Sequence, residues 1–224
     1  MDRLKHTKGG REHIHDLREV MNSIKVLPKG IYGITSNTFG QTHLQSAKIF
    51  LDAGIRIVQY REKSAPTVEE AKELKRLCAH YGALFIVNDR LDIAIASDAD
   101  GVHLGQDDTP IAAAKKQFGG IIGVSATSLG EAFMAQEGGA DYLGIGAMFS
   151  TDTKSDAKLV SFEEFRKIRE KVSLPIYAIG GIKYENIQMI KRLGADGIAV
   201  ISSVLAAPDP HLAAASMIEK WVKS

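Results

Sequence analysis

The sequence predicts an α/β fold, a single (β/α)8 TIM barrel with a short extra N-terminal helix. Three observations carry this reading. Short apolar runs recur along the whole chain, most of them continuous and β-branched, as parallel strands covered on their outer face require. Helical patterns alternate with those runs from one end to the other. The length, 224 residues with 45% hydrophobic composition, suits one such barrel and the core it must bury. Periodicity does not reveal closure, so an open doubly wound sheet is the alternative.

Taken in order, the strand candidates are Ile31–Thr35, Ile55–Tyr60, Leu84–Asn88, Gly101–Leu104, Ile121–Ser125, Asp141–Gly146, Ile176–Gly180 and Gly197–Ile201. A helix is expected after each. Thr67 with Glu70 resembles a capping box, and Thr109-Pro110 reads as N-cap followed by N1. Gly54, Gly82, Gly139 and Gly194 stand where helices end and strands follow. The segments "DADG" (98–101), "GADY" (139–142) and "GADG" (194–197) each precede a strand, a weak repeat suggesting recurring βα units. No linker or low-complexity segment interrupts residues 29–224, which form the expected barrel domain.

Residues 1–28 read as an N-terminal extension, its first part disordered. Ile14, Leu17, Met21 and Ile24 fall on one helical face, so a short amphipathic helix is expected there. The first residues contain no apolar run, so neither a signal peptide nor a membrane anchor is expected. His6, His13 and His15 match no zinc spacing. The single cysteine, Cys78, excludes an internal disulfide and points to a reducing compartment, the cytoplasm. It lies with Ala71, Leu74 and Leu77 on an apolar helical face, as a buried small hydrophobe. A net charge of +1 gives no reason to expect nucleic acid or a membrane surface as partner.

Ligands of α/β folds bind beyond the carboxyl ends of the strands, so the residues following each apolar run carry the functional reading. After the second strand, alternation places Gln59, Arg61 and Lys63 on one side and Tyr60 and Glu62 on the other. Arginine suits bidentate phosphate recognition and lysine adds a point charge; a solvated rim of charge is the plainer explanation. Asn88 and Asp89 follow the third strand, and Gln106, Asp107 and Asp108 the fourth. Asp89 and Asp108 would meet at one mouth, where a hard cation such as Mg2+ would reconcile two carboxylates with a polyanion. Helix capping is the competing explanation. Ser125 ends the fifth strand, and Thr151, Thr153 and Lys154 follow the sixth. Gly180–Ile182 and Ile201–Ser203 end the last two, the usual place for a phosphate in these barrels. His103 could serve as a base, but a core histidine fits its position better. The chain shows no Ser/His/Asp set, Cys/His pair, P-loop or dinucleotide fingerprint.

Taken together and in order, "QYREK", "VND", "HLGQDD", "GVSA", "GADYLGIG", "TDTK", "AIGGI" and "ADGIAVIS" resemble thiamine-phosphate synthase (thiamine-phosphate pyrophosphorylase) from about Ile31 to Ser203. The resemblance implies a (β/α)8 barrel that joins a hydroxymethylpyrimidine diphosphate to a thiazole phosphate, releasing pyrophosphate and thiamine phosphate. It implies a dissociative step: pyrophosphate leaves first, and the thiazole nitrogen attacks the ring-stabilised cation. Gln59, Arg61, Lys63, Asn88, Ser125 and Lys154 would hold the pyrimidine diphosphate. Arg61, Lys63, Ser125 and Lys154 would act in catalysis, and Asp89 and Asp108 would ligate Mg2+. Thr151, Thr153, Gly181, Ile201 and Ser202 would hold the thiazole phosphate, with residues 150–158 expected to close over the site. Its partners would be small phosphates and diphosphates; the oligomeric state stays open, a homo-oligomer included. Two departures stand out. Ala147 and Ser150 lie where many relatives carry prolines, and Thr127 stands where several carry a histidine. A thiazole tautomerase of the same superfamily, or a non-catalytic thiazole-phosphate-binding regulator on this barrel, is the alternative.

Overall fold

The computed structural model describes residues 27–151 and 158–224, and the eight strands close into a parallel barrel in sequence order. The strands are β1 (Gly30–Ile34), β2 (Ile57–Tyr60), β3 (Leu84–Asn88), β4 (Gly101–Leu104), β5 (Ile121–Ala126), β6 (Tyr142–Ile145), β7 (Ile176–Ile179) and β8 (Gly197–Val200). Closure is direct: β1 pairs with β8 in the register Gly30 to Gly197 and Tyr32 to Ala199. The open-sheet alternative is thereby excluded. The helices are α1 (His43–Asp52), α2 (Val68–His80), α3 (Leu91–Ala96), α4 (Ile111–Gln117), α5 (Leu129–Glu137), α6 (Phe162–Lys171), α7 (Ile187–Arg192), α8 (Ser202–Leu205) and α9 (Pro210–Lys223). The last strand is thus followed by two helices, a short one at the mouth and a long one beneath. The expected N-terminal amphipathic helix, with Ile14 to Ile24, lies outside the described residues. Among the described residues no helix is long and apolar enough to cross a membrane.

Strand alternation sorts the core into two layers. Tyr32, Ile57, Ile86, Ile121, Tyr142, Tyr177 and Ala199 fill the barrel interior. Val58, Tyr60, Phe85, Val102, Leu104 and Leu143 face outward and pack under the helices. Both faces are therefore apolar, which explains why the strands read as continuous runs. Three tyrosine rings meet edge to face inside: Tyr32 and Tyr177 at 5.3 Å, Tyr142 and Tyr177 at 5.5 Å. Cys78 is buried on α2 as expected, and burial pushes its thiol up to about 12.

The repeated aspartate before β4, β6 and β8 has a physical cause. Asp100 Oδ2 accepts the Phe85 N–H at 2.9 Å, Asp141 Oδ2 that of Ile122 at 2.8 Å, and Asp196 Oδ2 that of Ile176 at 3.1 Å. In return each aspartate N–H donates to the carbonyl of the same residue, at 2.9, 2.7 and 2.8 Å. β4, β6 and β8 thus each clasp the start of the strand before them, at the end opposite the mouth. Lys75 pairs with Asp100 at 2.7 Å, and Arg169 with Asp196 at 3.1 Å.

The helix starts follow the sequence with two amendments. Thr67 caps α2 by accepting the Glu70 N–H at 3.2 Å, but the box is only half made. Glu70 instead accepts the Tyr60 hydroxyl at 2.7 Å, and Tyr60 accepts the Thr67 N–H at 3.3 Å. The full box stands at α1, where Thr42 and Gln45 exchange bonds of 2.8 and 3.1 Å. The expected order Thr109 N-cap, Pro110 N1 is corrected: Pro110, at ψ 140°, is the N-cap and the helix starts at Ile111. The four turn glycines, Gly54, Gly82, Gly139 and Gly194, all have positive φ.

Candidate active site

The ends of β2, β3, β4 and β5 bring most of the predicted polar residues to one mouth. β2 carries the cationic arm. Glu62 turns away from it and accepts from Asn37 Nδ2 at 2.7 Å, His43 Nε2 at 3.1 Å and the Ser64 N–H at 2.6 Å. These bonds, the backbone one first, hold the Glu62 carboxyl below the usual range. His43 Nδ1 lies 2.8 Å from the Thr35 hydroxyl, and Thr35 accepts the Arg61 N–H at 3.3 Å. A buried relay thus pins the Arg61 backbone and leaves its side chain to the mouth. The Arg61 guanidinium is half-buried: burial pulls it below its ordinary value, while the Asp89 carboxylate pulls it back. Lys63 is exposed at the tip.

Gln59 lies deeper than the sequence alone indicates. It is 3% exposed, and its Nε2 donates to the Tyr32 hydroxyl at 2.9 Å inside the barrel. Tyr32 in turn bonds Tyr142, which bonds His103, which bonds Ser125. Tyr32 and Tyr142 escaped the sequence reading because tyrosine counts as an ordinary strand former. The available signal is a phenol in an aliphatic strand, whose hydroxyl needs a partner once buried. His103 is buried with partners at both nitrogens, as a core histidine, and burial lowers it to about 4.

Asp89 and Asp108 do meet. Their carboxyl groups stand close enough for Asp108 to act on Asp89, and Arg61 and Asn88 act on Asp89 from beside it. Loss of water around Asp89, then the neighbouring Asp108 carboxyl, push Asp89 up to about 6 against the opposing pull of Arg61 and Asn88. Neither residue caps a helix through its side chain: α3 and α4 have no side-chain cap. Asp89 takes φ +61°, a left-handed conformation that costs a non-glycine residue about 1 kcal/mol or more. Asp108 Oδ2 accepts the Gly105 N–H at 2.6 Å, which fixes the turn after β4. Two crowded carboxyls with one arginine beside them suit a hard divalent ion completed by water and phosphate oxygens. Among the described residues no group of three acidic or sulfur and nitrogen ligands forms, so the protein's share of such a site would be these two.

The other half of the mouth is neutral. Gly180 and Gly181 have φ +94° and +63°, and a Cβ on Gly181 would stand 2.4 Å from the Ser150 carbonyl. That close approach to the loop after β6 requires glycine there. The loop itself is tied down by Met148 N–H to Ile179 O at 2.9 Å and Phe149 N–H to Gly180 O at 3.1 Å. Ile201 precedes α8, whose first residue is Ser202; the first N–H groups of a helix have no partner within it. Thr151 is half-buried at the end of the described loop. Thr153 and Lys154 fall outside the described residues, as do residues 152–157 of the segment 150–158 expected to close over the site. Thr127 is committed locally, donating its N–H and hydroxyl to Glu131 at 2.6 and 3.0 Å.

Comparison with known proteins names the fold's family. The profile of the family described as thiamine monophosphate synthase matches residues 31–204. The chain belongs to that family. Thiamine-phosphate synthase of Caldivirga maquilingensis is 48% identical over 200 residues, 87% of this chain and 98% of that protein. The thiamine-phosphate synthase of Archaeoglobus fulgidus is 48% identical over 193 residues, 84% and 91% of the two chains. Among solved structures, thiamine phosphate pyrophosphorylase from Pyrococcus furiosus superposes with a TM-score of 0.82 at 42% identity, covering 87% of this chain and 96% of that one. A 3-hexulose-6-phosphate synthase, 16% identical with a TM-score of 0.65, shares the fold alone. The thiamine monophosphate synthase family is thus supported along nearly the whole barrel.

Proposed function

We infer that this chain is a thiamine-phosphate synthase, a transferase of the pyrimidinylmethyl group. It couples 4-amino-5-hydroxymethyl-2-methylpyrimidine diphosphate to hydroxyethylthiazole phosphate and releases pyrophosphate and thiamine phosphate. The observation that carries the reading is the meeting of Asp89 and Asp108 beside Arg61 on one rim, in a chain of this family.

The chemistry asks little of a nucleophile and much of electrostatics. The bond from the pyrimidine methylene to the diphosphate oxygen breaks, and the thiazole nitrogen then forms the new carbon–nitrogen bond. Charge builds on the departing diphosphate, and Arg61, Lys63 and Lys154 are the cations offered to it. Gln59, Asn88 and Ser125 are assigned to the same substrate; Thr151, Thr153, Gly181, Ile201 and Ser202 are assigned to the thiazole phosphate. Mg2+ held by Asp89 and Asp108 would supply positive charge to the leaving oxygens. Position 127 carries a threonine, bonded to Glu131, in place of a histidine, and its hydroxyl is no acid–base group near neutral pH, which favours synthesis over a tautomerase. We assign it to the cytoplasm, acting on small phosphates without nucleic acid or membrane as partners.

The test is pyrophosphate release by purified protein given both substrates and Mg2+, with thiamine phosphate quantified in parallel. Equal yields of both products are expected, abolished by chelation and reduced about a hundredfold in Lys63→Ala and Asp108→Ala. No turnover, with tight binding of the thiazole phosphate alone, would overturn the reading in favour of the tautomerase or regulator.

A further inference from the structure

Five polar side chains form a continuous hydrogen-bonded row through the barrel interior. Gln59 Nε2 lies 2.9 Å from the Tyr32 hydroxyl, and Tyr32 lies 2.9 Å from the Tyr142 hydroxyl. Tyr142 lies 3.0 Å from His103 Nδ1, and His103 Nε2 lies 2.9 Å from Ser125 Oγ. The first four members are 3%, 2%, 0% and 8% exposed, whereas Ser125 is half-buried at the mouth. Neighbouring strands leave room for it. A Cβ on Gly123 would stand 2.1 Å from the Tyr142 ring, and one on Gly144 3.0 Å from His103 Cε1.

Proton counting restricts the row to two states. Each phenol has one hydroxyl proton to donate, and a neutral imidazole has one N–H. If every buried proton is spent within the row, a donating Gln59 leaves Tyr32 to donate to Tyr142 and Tyr142 to His103 Nδ1. His103 must then donate from Nε2 to Ser125, whose own proton is left for the mouth. In the reverse state Ser125 donates inward and turns lone pairs outward. We propose that the row runs from Gln59 to Ser125, making His103 a positioning residue that presents Ser125 as a donor to the diphosphate. Two considerations select this direction. The Gln59 nitrogen, not its oxygen, faces Tyr32. A donor also suits an anion at the mouth, whereas lone pairs would repel it; this part rests on the function proposed above.

The direction is readable without substrate. In protein labelled with 15N-histidine, His103 is identified by the signals lost in His103→Gln. Nε2 is expected to carry the proton and Nδ1 to be bare; the opposite tautomer overturns the proposal. Kinetics tests the consequence. Tyr142→Phe, which removes the donor to Nδ1, is expected to lower kcat about tenfold. The KM for the thiazole phosphate should not move. In a Ser125→Ala background the same substitution should cost little, because its effect passes through Ser125. An equal loss in both backgrounds would overturn the positioning role. A wild-type protein without synthase turnover would overturn the proposed function, while the tautomer would still decide the direction of the row.

Discussion

Asp89 and Asp108 reach each other, carboxyl to carboxyl, from the loops that follow neighbouring strands, and Arg61 stands beside the first of them. Removing one charge should relieve the fold while harming the chemistry. With its carboxyl raised to about 6 in the folded chain, Asp89 favours folding at low pH, and that contribution fades as pH rises through 6. Asp89→Asn is therefore expected to melt no lower than wild type at pH 7.5 in chelator, and to lose about a hundredfold in rate with Mg2+. A lower melting temperature would show the pair to be a structural brace instead.

His103 gives the opposite pH signature. Its folded value of about 4 lies below the unfolded 6.5, so the neutral ring contributes fully above pH 6.5. That contribution falls by about 1.4 kcal/mol per pH unit on acidification and is gone near pH 4. Urea unfolding between pH 7 and 4.5 should show a shallower loss of stability in His103→Gln than in wild type. Parallel curves would sink the assignment.

Asp100 tests the clasp. Asp100→Ala leaves the Phe85 N–H and Lys75 without this carboxylate and should destabilise the fold by about 3 kcal/mol. Turnover per folded molecule should be unchanged, because the residue lies at the far end of the barrel. Chemical denaturation and specific activity measured on the same preparation separate the two effects.

Cys78 should be inert in the native state. Burial both hides the thiol and raises it to about 12, so thiolate is scarce at neutral pH. Native protein is expected to keep full activity under a thiol reagent that labels it completely in denaturant. Rapid native labelling would mean that α2 opens far more readily than its packing indicates.

The barrel was legible because its strands are apolar on both faces and its turns carry glycine, so all eight strands were found within a residue or two of their positions. The same uniformity hid which face looks inward. Nothing in "IYGIT" says that Tyr32 rather than Ile31 points to the barrel axis, so the partners of Gln59 and His103 stayed out of reach. Charged mouth residues were legible for the opposite reason: Arg61, Asp89 and Asp108 have no apolar purpose after a strand. Roles that depend on three-dimensional neighbours, such as Glu62 bracing His43 or Thr127 committed to Glu131, have no local signature.

The aspartate clasps have one more consequence. Because Asp100, Asp141 and Asp196 lock their partner strands at the closed end, the staves are hooped from below rather than by whatever sits above. The working rim is thereby relieved of holding the cask together. Strained or mutually repelling residues such as Asp89 and Asp108 are tolerable there, and the loops that carry them can be rewritten for another phosphate ester without rebuilding the vessel.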